Sequence, residues 1–227
     1  MVARRVLTWP HPALRKKSMP VEAFDESLKS LISDLRDTLD IKFGAGLAAP
    51  QIGIHSRVVI IKCSSFGCEN PTPGCDDDEW VLVNPKLDCS KEKSTWTEAC
   101  LSVPGHEGRV ERSSSVSVEF QDVEGNTHTI NAGWPLAGAV QHECDHLDGR
   151  LFLQRLSYYN RNSIEKKIRK KMKRAAELRA AAEEERRRDL ADIHGTPQRK
   201  PERKKDPKRK RRAALAKISR KKNRGKK

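Results

Sequence analysis

The chain has 227 residues, enough for one sizeable domain or two small ones, and a formal net charge of +15. That charge is divided. Residues 1–154 carry 16 Lys and Arg against 22 Asp and Glu, a net of −6, whereas residues 155–227 carry 30 against 9, a net of +21. No run approaches the roughly 18 apolar residues of a membrane-spanning helix, and the N-terminus lacks the apolar core of a secretory signal. Membrane spans and export are therefore not expected, and the six cysteines read as thiols or metal ligands rather than a disulfide framework.

In chain order, Asp25 reads as the N-cap of an amphipathic helix bearing Leu28, Leu31, Ile32, Leu35 and Leu39, ended by the glycines at 44 and 46. Val58 to Ile61 reads as a short buried strand, and residues 64–79, rich in Ser, Gly, Pro and Asp, as a surface loop. A second strand, Trp80 to Val83, is expected to stop at Asn84-Pro85. Thr97 to Pro104 reads as a short extended segment. Val116, Val118 and Phe120 alternate with polar residues, Thr127 to Ala132 continues in that style, and residues 122–126 read as the hairpin turn between them. A helix over 135–148 ends before Gly149. This order predicts an α+β domain, with antiparallel sheets around the helix at 135–148. A basic helix over 161–194 follows, and then a tail over 195–227 whose Lys/Arg-rich composition cannot bury a core and reads as disordered.

The chemistry is concentrated in His142-Glu143-Cys144-Asp145-His146, an HExxH pattern. On a helix, four residues advance the chain through about 400°, so the two imidazoles stand one turn apart on one face and can reach one metal ion. Glu143 lies beside them, placed to take a proton from an attacking water. Cys144, about 200° around the helix from His142, faces away and reads as core. A third ligand must come from elsewhere. Asp145 is a candidate as ligand or as the acceptor holding an imidazole, and Cys100 is the stronger candidate ligand. Upstream, Gly44 to Gln51 reads as a segment that lets backbone approach a ligand closely, with Gln51 offering an amide donor.

Together three segments resemble the peptide deformylase family: Gly44-Ala45-Gly46-Leu47-Ala48-Ala49-Pro50-Gln51, Glu98-Ala99-Cys100-Leu101-Ser102 and Gln141-His142-Glu143-Cys144-Asp145-His146, in that order. Ala99 stands where the family usually has Gly. The resemblance covers roughly residues 4–157, making residues 1–160 the catalytic domain. It implies removal of the N-formyl group from the initiator methionine of nascent polypeptides, with release of formate. It also implies one divalent metal ion, Fe2+ most often and replaceable by Zn2+, Ni2+ or Co2+, held by Cys100, His142 and His146. Glu143 is then the general base, and the Gln51 side chain and the Leu101 backbone N–H are the oxyanion donors. Gly44, Gly46 and Gly138 are expected to border the substrate. Two departures stand out. The segment Leu136-Ala137-Gly138-Ala139-Val140 is smaller than expected for a methionine pocket, which is then either roomier or filled from elsewhere. Glu107 stands where a basic peptide contact is common, with Arg109 as a substitute.

The family's basic C-terminal helix docks on the ribosome, and residues 161–227 resemble such a helix with an extension. The implied partner is ribosomal RNA, bound mainly through phosphates, and the implied location is the cytoplasm, or an organelle if a targeting sequence is absent. Two other readings are weaker. An endopeptidase with the same helix motif needs a third ligand downstream of His146, where only His194 stands, and an RNA-binding protein with a structural metal needs four protein ligands. A second metal site at Cys63, Cys68 and Cys75 has irregular spacing and no fourth ligand.

Overall fold

The computed structural model describes residues 3–67, 75–76 and 79–193. Helix α1 spans Glu26–Lys42. Strands follow at β1 (Gly46–Ala48), β2 (Val58–Lys62), β3 (Cys75–Asp76), β4 (Glu79–Cys89), β5 (Lys93–Ala99), β6 (Glu107–Ser113), β7 (Val116–Gln121) and β8 (Thr127–Ala132), then helices α2 (Leu136–Leu147) and α3 (Tyr158–Ile193). Among the described residues, β1, β2, β4, β7 and β8 lie side by side in one antiparallel sheet with β3 on β4, and β5 pairs with β6 in a separate hairpin. The chain divides into two units, Met1–Arg169 and Lys170–Lys227. No helix among the described residues is long and apolar enough to cross a membrane.

Strand periodicity explains how the sheet is covered. In β2, Val58 and Ile60 point to one face and Val59 and Ile61 to the other, so the uninterrupted apolar run is buried on both sides. The first face meets Leu28, Leu31, Ile32, Leu35 and Leu39 of α1, as their helical spacing predicts. The second meets Leu136, Ala137, Val140, Cys144 and Leu147 of α2. A third cluster lies under the β5–β6 hairpin, where Val103 and Val110 pack with Leu151, Phe152 and Leu153 and with Ile164 and Ile168 of α3. The opening turns of α3 therefore pack into the first unit, beyond residue 160. Arg169, at its edge, sits 5.0 Å over the Trp9 ring.

Asp25 caps α1 as expected, accepting hydrogen bonds from the backbone N–H groups of Ser27 and Leu28. The helix ends at Lys42, two residues before the first glycine, because Phe43 itself turns left-handed, at φ 51°. Asn84-Pro85 does not end β4 as expected. Asn84 adopts φ 53° within a register shift between Val83 and Lys86, and the strand continues to Cys89. The Asn84 amide replaces lost ladder bonds: its Oδ1 accepts from Val21 N at 2.8 Å, and its Nδ2 donates to Val21 O at 2.9 Å and to Gln121 Oε1 at 2.7 Å. The β5–β6 hairpin was not anticipated beyond the extended piece around Cys100, since its exposed face is crowded with Lys, Glu and Arg. Of the loop expected over 64–79, residues 68–74 and 77–78 lie outside the described residues, as do Cys68 and the tail from 194 on.

Candidate metal centre

Helix α2 is buried over all twelve residues, including Gln141, His142, Glu143, Asp145 and His146. Buried polar groups of this number need partners, and those partners build the site. Gln141 clamps the helix to β6, donating to Ser113 O at 2.8 Å and accepting from Ser113 N at 3.0 Å. His142 and His146, one turn apart, face the same way, with ring centroids 5.1 Å apart. Cys100, just past the end of β5, brings its Sγ to 3.3 Å from His146 Nε2. The ligand atoms of Cys100, His142 and His146 all lie within 4.8 Å of one another, and all three residues are buried.

The β5–β6 hairpin supports this trio. Period two along the chain puts Trp96, Glu98 and Cys100 on one face. Glu98 Oε2 takes His142 Nδ1 at 2.7 Å, which turns the other ring nitrogen, Nε2, towards Cys100 and His146. Arg112, wholly buried on β6, holds Glu98 by two hydrogen bonds, Nε to Oε1 at 2.6 Å and Nη2 to Oε2 at 2.9 Å. Its Nη1 reaches Asp145 Oδ2, and Arg155 grips the same carboxylate through Nε and Nη2, each at 2.6 Å. Asp145 is thus neither ligand nor imidazole acceptor. It joins two guanidinium groups, and Glu98 orients the histidine. Glu98 and Arg112 were missed as residues that build the site. For Glu98 a signal existed, since it stands two residues before Cys100 on the same face.

The electrostatics suit a cation. Burial pushes the Glu98 carboxyl up, but Arg112 and His142 prevail and hold it at about 2, so it is ionised at neutral pH. Burial likewise opposes charge on His142, yet the Cys100 thiol and Glu98 raise its pKa well above the ordinary value. Burial, with His142 alongside, pushes His146 well below it, leaving that imidazole neutral and ready to ligate. Cys100, His142 and His146 together offer one sulfur and two nitrogens. That donor set fits a borderline or soft ion better than magnesium or calcium.

Glu143 projects beside the trio. Burial raises its pKa to about 7, and its Oε2 is buried with no hydrogen-bond partner in the protein. Gly46 makes room for it: a side-chain carbon on Gly46 would come to 2.7 Å from Glu143 Oε1. Gln51 is fixed by Ala48 N, which donates to its Oε1 at 2.8 Å, so that its Nε2 points at Ser102 Oγ (3.2 Å) and Cys100 Sγ (3.6 Å). Gly44, Gly46, Gln51, Cys100, Leu101, His142 and Glu143 all border one cavity of roughly 1040 Å³. Glu107 borders it too; Arg109 and Gly138 do not. Gly138 lies instead beneath Trp96 and Trp134. Burial pushes the Cys144 thiol up, in keeping with a core residue.

Residues 3–162 match the family model described as polypeptide deformylase. The chain belongs to the peptide deformylase family. This deformylase is 37% identical over 189 residues to the peptide deformylase of Novosphingobium aromaticivorans, covering 78% of this chain and all of that relative. It is 38% identical over 165 residues to that of Helicobacter hepaticus, covering 73% of this chain and 90% of the other. Among solved structures, the Legionella pneumophila enzyme aligns with TM-score 0.67 at 38% identity, over 77% of this chain and 98% of that one. The Ehrlichia chaffeensis enzyme in complex with actinonin aligns with TM-score 0.68 at 35% identity, over 75% and 98%. The enzymatic class expected from the three motifs is therefore the class found, and the α+β fold with antiparallel sheets around the HExxH helix is shared with those structures.

Proposed function

We propose that this deformylase removes the N-formyl group from the initiator methionine of nascent polypeptides, with Cys100, His142 and His146 holding one divalent ion. The observation that carries the reading is the joining of a buried three-ligand cluster to a buried, unpartnered carboxylate oxygen at the head of one cavity. Three protein ligands leave a coordination position open, and an ion bound there lowers the pKa of water towards about 7 and polarises a carbonyl.

The protein's own residues then divide the work. Glu143 takes the proton of the attacking water and passes it to the departing amine, a transfer suited to a carboxylate whose pKa lies near neutrality. The Gln51 Nε2 and the Leu101 backbone N–H stabilise the oxyanion that develops on the formyl oxygen as the carbon is attacked. One such donor is typically worth about 10²–10³ in rate. Gly44 and Gly46 let the peptide backbone lie against β1, and Glu98 keeps His142 in the ligating orientation. The products are formate and a free amino terminus. Ferrous iron is the ion we favour, because a thiolate with two imidazoles suits a soft or redox-active metal.

The basic segment supplies the setting. The sequence from 155 to 227 carries a net charge of +21, a density that supports phosphate binding independent of sequence. Ribosomal RNA at the point where the substrate emerges is the partner we propose, with the enzyme acting in the cytoplasm or an organelle matrix. Formate release from formyl-Met-Ala-Ser tests the catalytic reading. The metal-loaded protein is expected to turn it over, and Glu143→Gln is expected to keep its metal while losing nearly all turnover. Normal hydrolysis by that variant would remove Glu143 from the role of base.

A further inference from the structure

Of Trp96, Glu98 and Cys100, which share one face along β5 and just past its end, Glu98 and Cys100 serve the metal cluster, and Trp96 remains. Its half-buried indole borders the cavity that Phe66, Ala139, His142 and Glu143 also line. The ring stands nearly perpendicular to Trp134, with centroids 5.3 Å apart and planes at 70°, and its centroid is 6.2 Å from that of Phe66. Nε1 donates to Glu98 Oε1 at 3.0 Å. That bond fixes the indole by its pyrrole edge, on a carboxylate that is itself gripped by Arg112.

The Nε1-bearing side of the same ring, at Cε2 and Cζ2, lies over Gly138. A side-chain carbon on Gly138 would come to 3.2 Å from Cε2 and Cζ2 of Trp96 and to 3.1 Å from Cζ3 of Trp134. Gly138 is one helical turn before His142, so a branched aliphatic residue there would occupy the space the indole now fills. The small residues of α2 thus do not leave the pocket open. The strand fills it, with a flat aromatic wall that hydrogen bonding and ring packing hold still.

We propose that Trp96 is the specificity-determining wall of the pocket that takes the side chain next to the formyl group. With the formyl carbon at the metal cluster between Gln51 and Glu143, that side chain projects into the recess of Phe66, Trp96 and Ala139. A fixed indole face favours an unbranched, polarisable thioether lying along it and leaves too little depth for a second large ring. The inference rests on the deformylase reading, and its test separates the two.

The measurement is kcat/KM of the metal-loaded enzyme for formyl-Met-Ala-Ser and formyl-Phe-Ala-Ser, with calorimetric binding of the product peptides Met-Ala-Ser and Phe-Ala-Ser. Trp96→Leu is expected to lower the Met-to-Phe preference by about tenfold or more in both assays, the range in which a few methylenes of pocket shape discriminate. Adding Gly138→Ile to Trp96→Leu, which refills the recess from the helix side, is expected to restore most of it. Trp96→Phe, which keeps a ring beside Phe66 and Trp134, is expected to shift the ratio the same way by a smaller factor. A folded, metal-loaded Trp96→Leu protein with the wild-type ratio in both assays would overturn the proposal, as would an unshifted ratio in Trp96→Phe if the leucine variant does not fold. Absence of formate release from the wild type would instead sink the deformylase reading, and the binding ratios would still judge the wall.

Discussion

The Glu98 carboxylate accepts from three side chains at once: Trp96 and Arg112 on Oε1, Arg112 and His142 on Oε2. Removing a partner from such a buried cluster strands a charge, which costs about 3–5 kcal/mol. Glu98→Gln keeps the shape but gives up one acceptor and the negative charge. It is expected to weaken metal affinity about 10–100-fold, the usual scale for losing the group that orients a ligating histidine. Competition with a chelator measures it, and unchanged affinity would contradict the role assigned. Gly46→Ala acts on the base instead, because the new carbon overlaps Glu143 Oε1. Its kcat on formyl-Met-Ala-Ser is expected to fall about 10²-fold with metal content intact, as for a displacement of order 1 Å in a reacting group; undiminished kcat would show that Glu143 has room to yield. At this scale the sequence was legible wherever spacing is local. His142, Glu143 and His146 declare themselves by helical period, and Cys100 by the company of its segment. Arg112 did not, because its partners Glu98 and Asp145 lie 14 and 33 positions away and strand pairing alone brings them together.

Elements were readable where one period dominates. α1 and α2 follow the 3.6-residue repeat, and β7 and β8 the two-residue one, with Val116 opposite Ala132 and Gln121 opposite Thr127. β4 was misjudged at Asn84-Pro85 because a side-chain amide substituted for the ladder, a tertiary event no local pattern encodes. The β7–β8 turn shows what a single side chain contributes. Asp122 accepts from Glu124 N at 2.9 Å, Asn126 N at 2.8 Å and His128 Nε2 at 2.7 Å. Partial burial raises its carboxyl, but His128 and Asn126 outweigh that and lower it from 3.8 to about 2. A carboxyl depressed on folding adds stability that is complete above its ordinary pKa and is lost as pH falls through the lower, folded value. The difference in stability between wild type and Asp122→Ala is therefore expected to be constant above about pH 5 and to shrink between about pH 4 and pH 2. Paired denaturant unfolding curves across that range measure it, and a difference independent of pH would contradict it.

For the whole molecule, the chain divides into two units, and the second begins at Lys170, inside the basic part of the sequence. Ile164 and Ile168 pack with the first unit, so a truncation that spares its core falls after Arg169. Within the second unit, pairs such as Lys173 with Glu177 and Arg188 with Glu184 are exposed, add only a few tenths of a kcal/mol each, and leave a large basic excess. The full chain is expected to sediment with ribosomes at about 50 mM salt and to be released steeply towards about 200 mM. The chain truncated after Arg169 is expected to keep peptide turnover and lose sedimentation; undiminished binding by it would take the basic segment out of the account. The central claim remains the three-ligand cage with a position left open, and X-ray absorption at the metal edge of the zinc-loaded full chain tests it most directly. The account predicts one sulfur at about 2.3 Å, two nitrogens at about 2.0–2.1 Å and one exchangeable light atom. A spectrum with no sulfur, or with a fourth protein ligand closing the site, would contradict it.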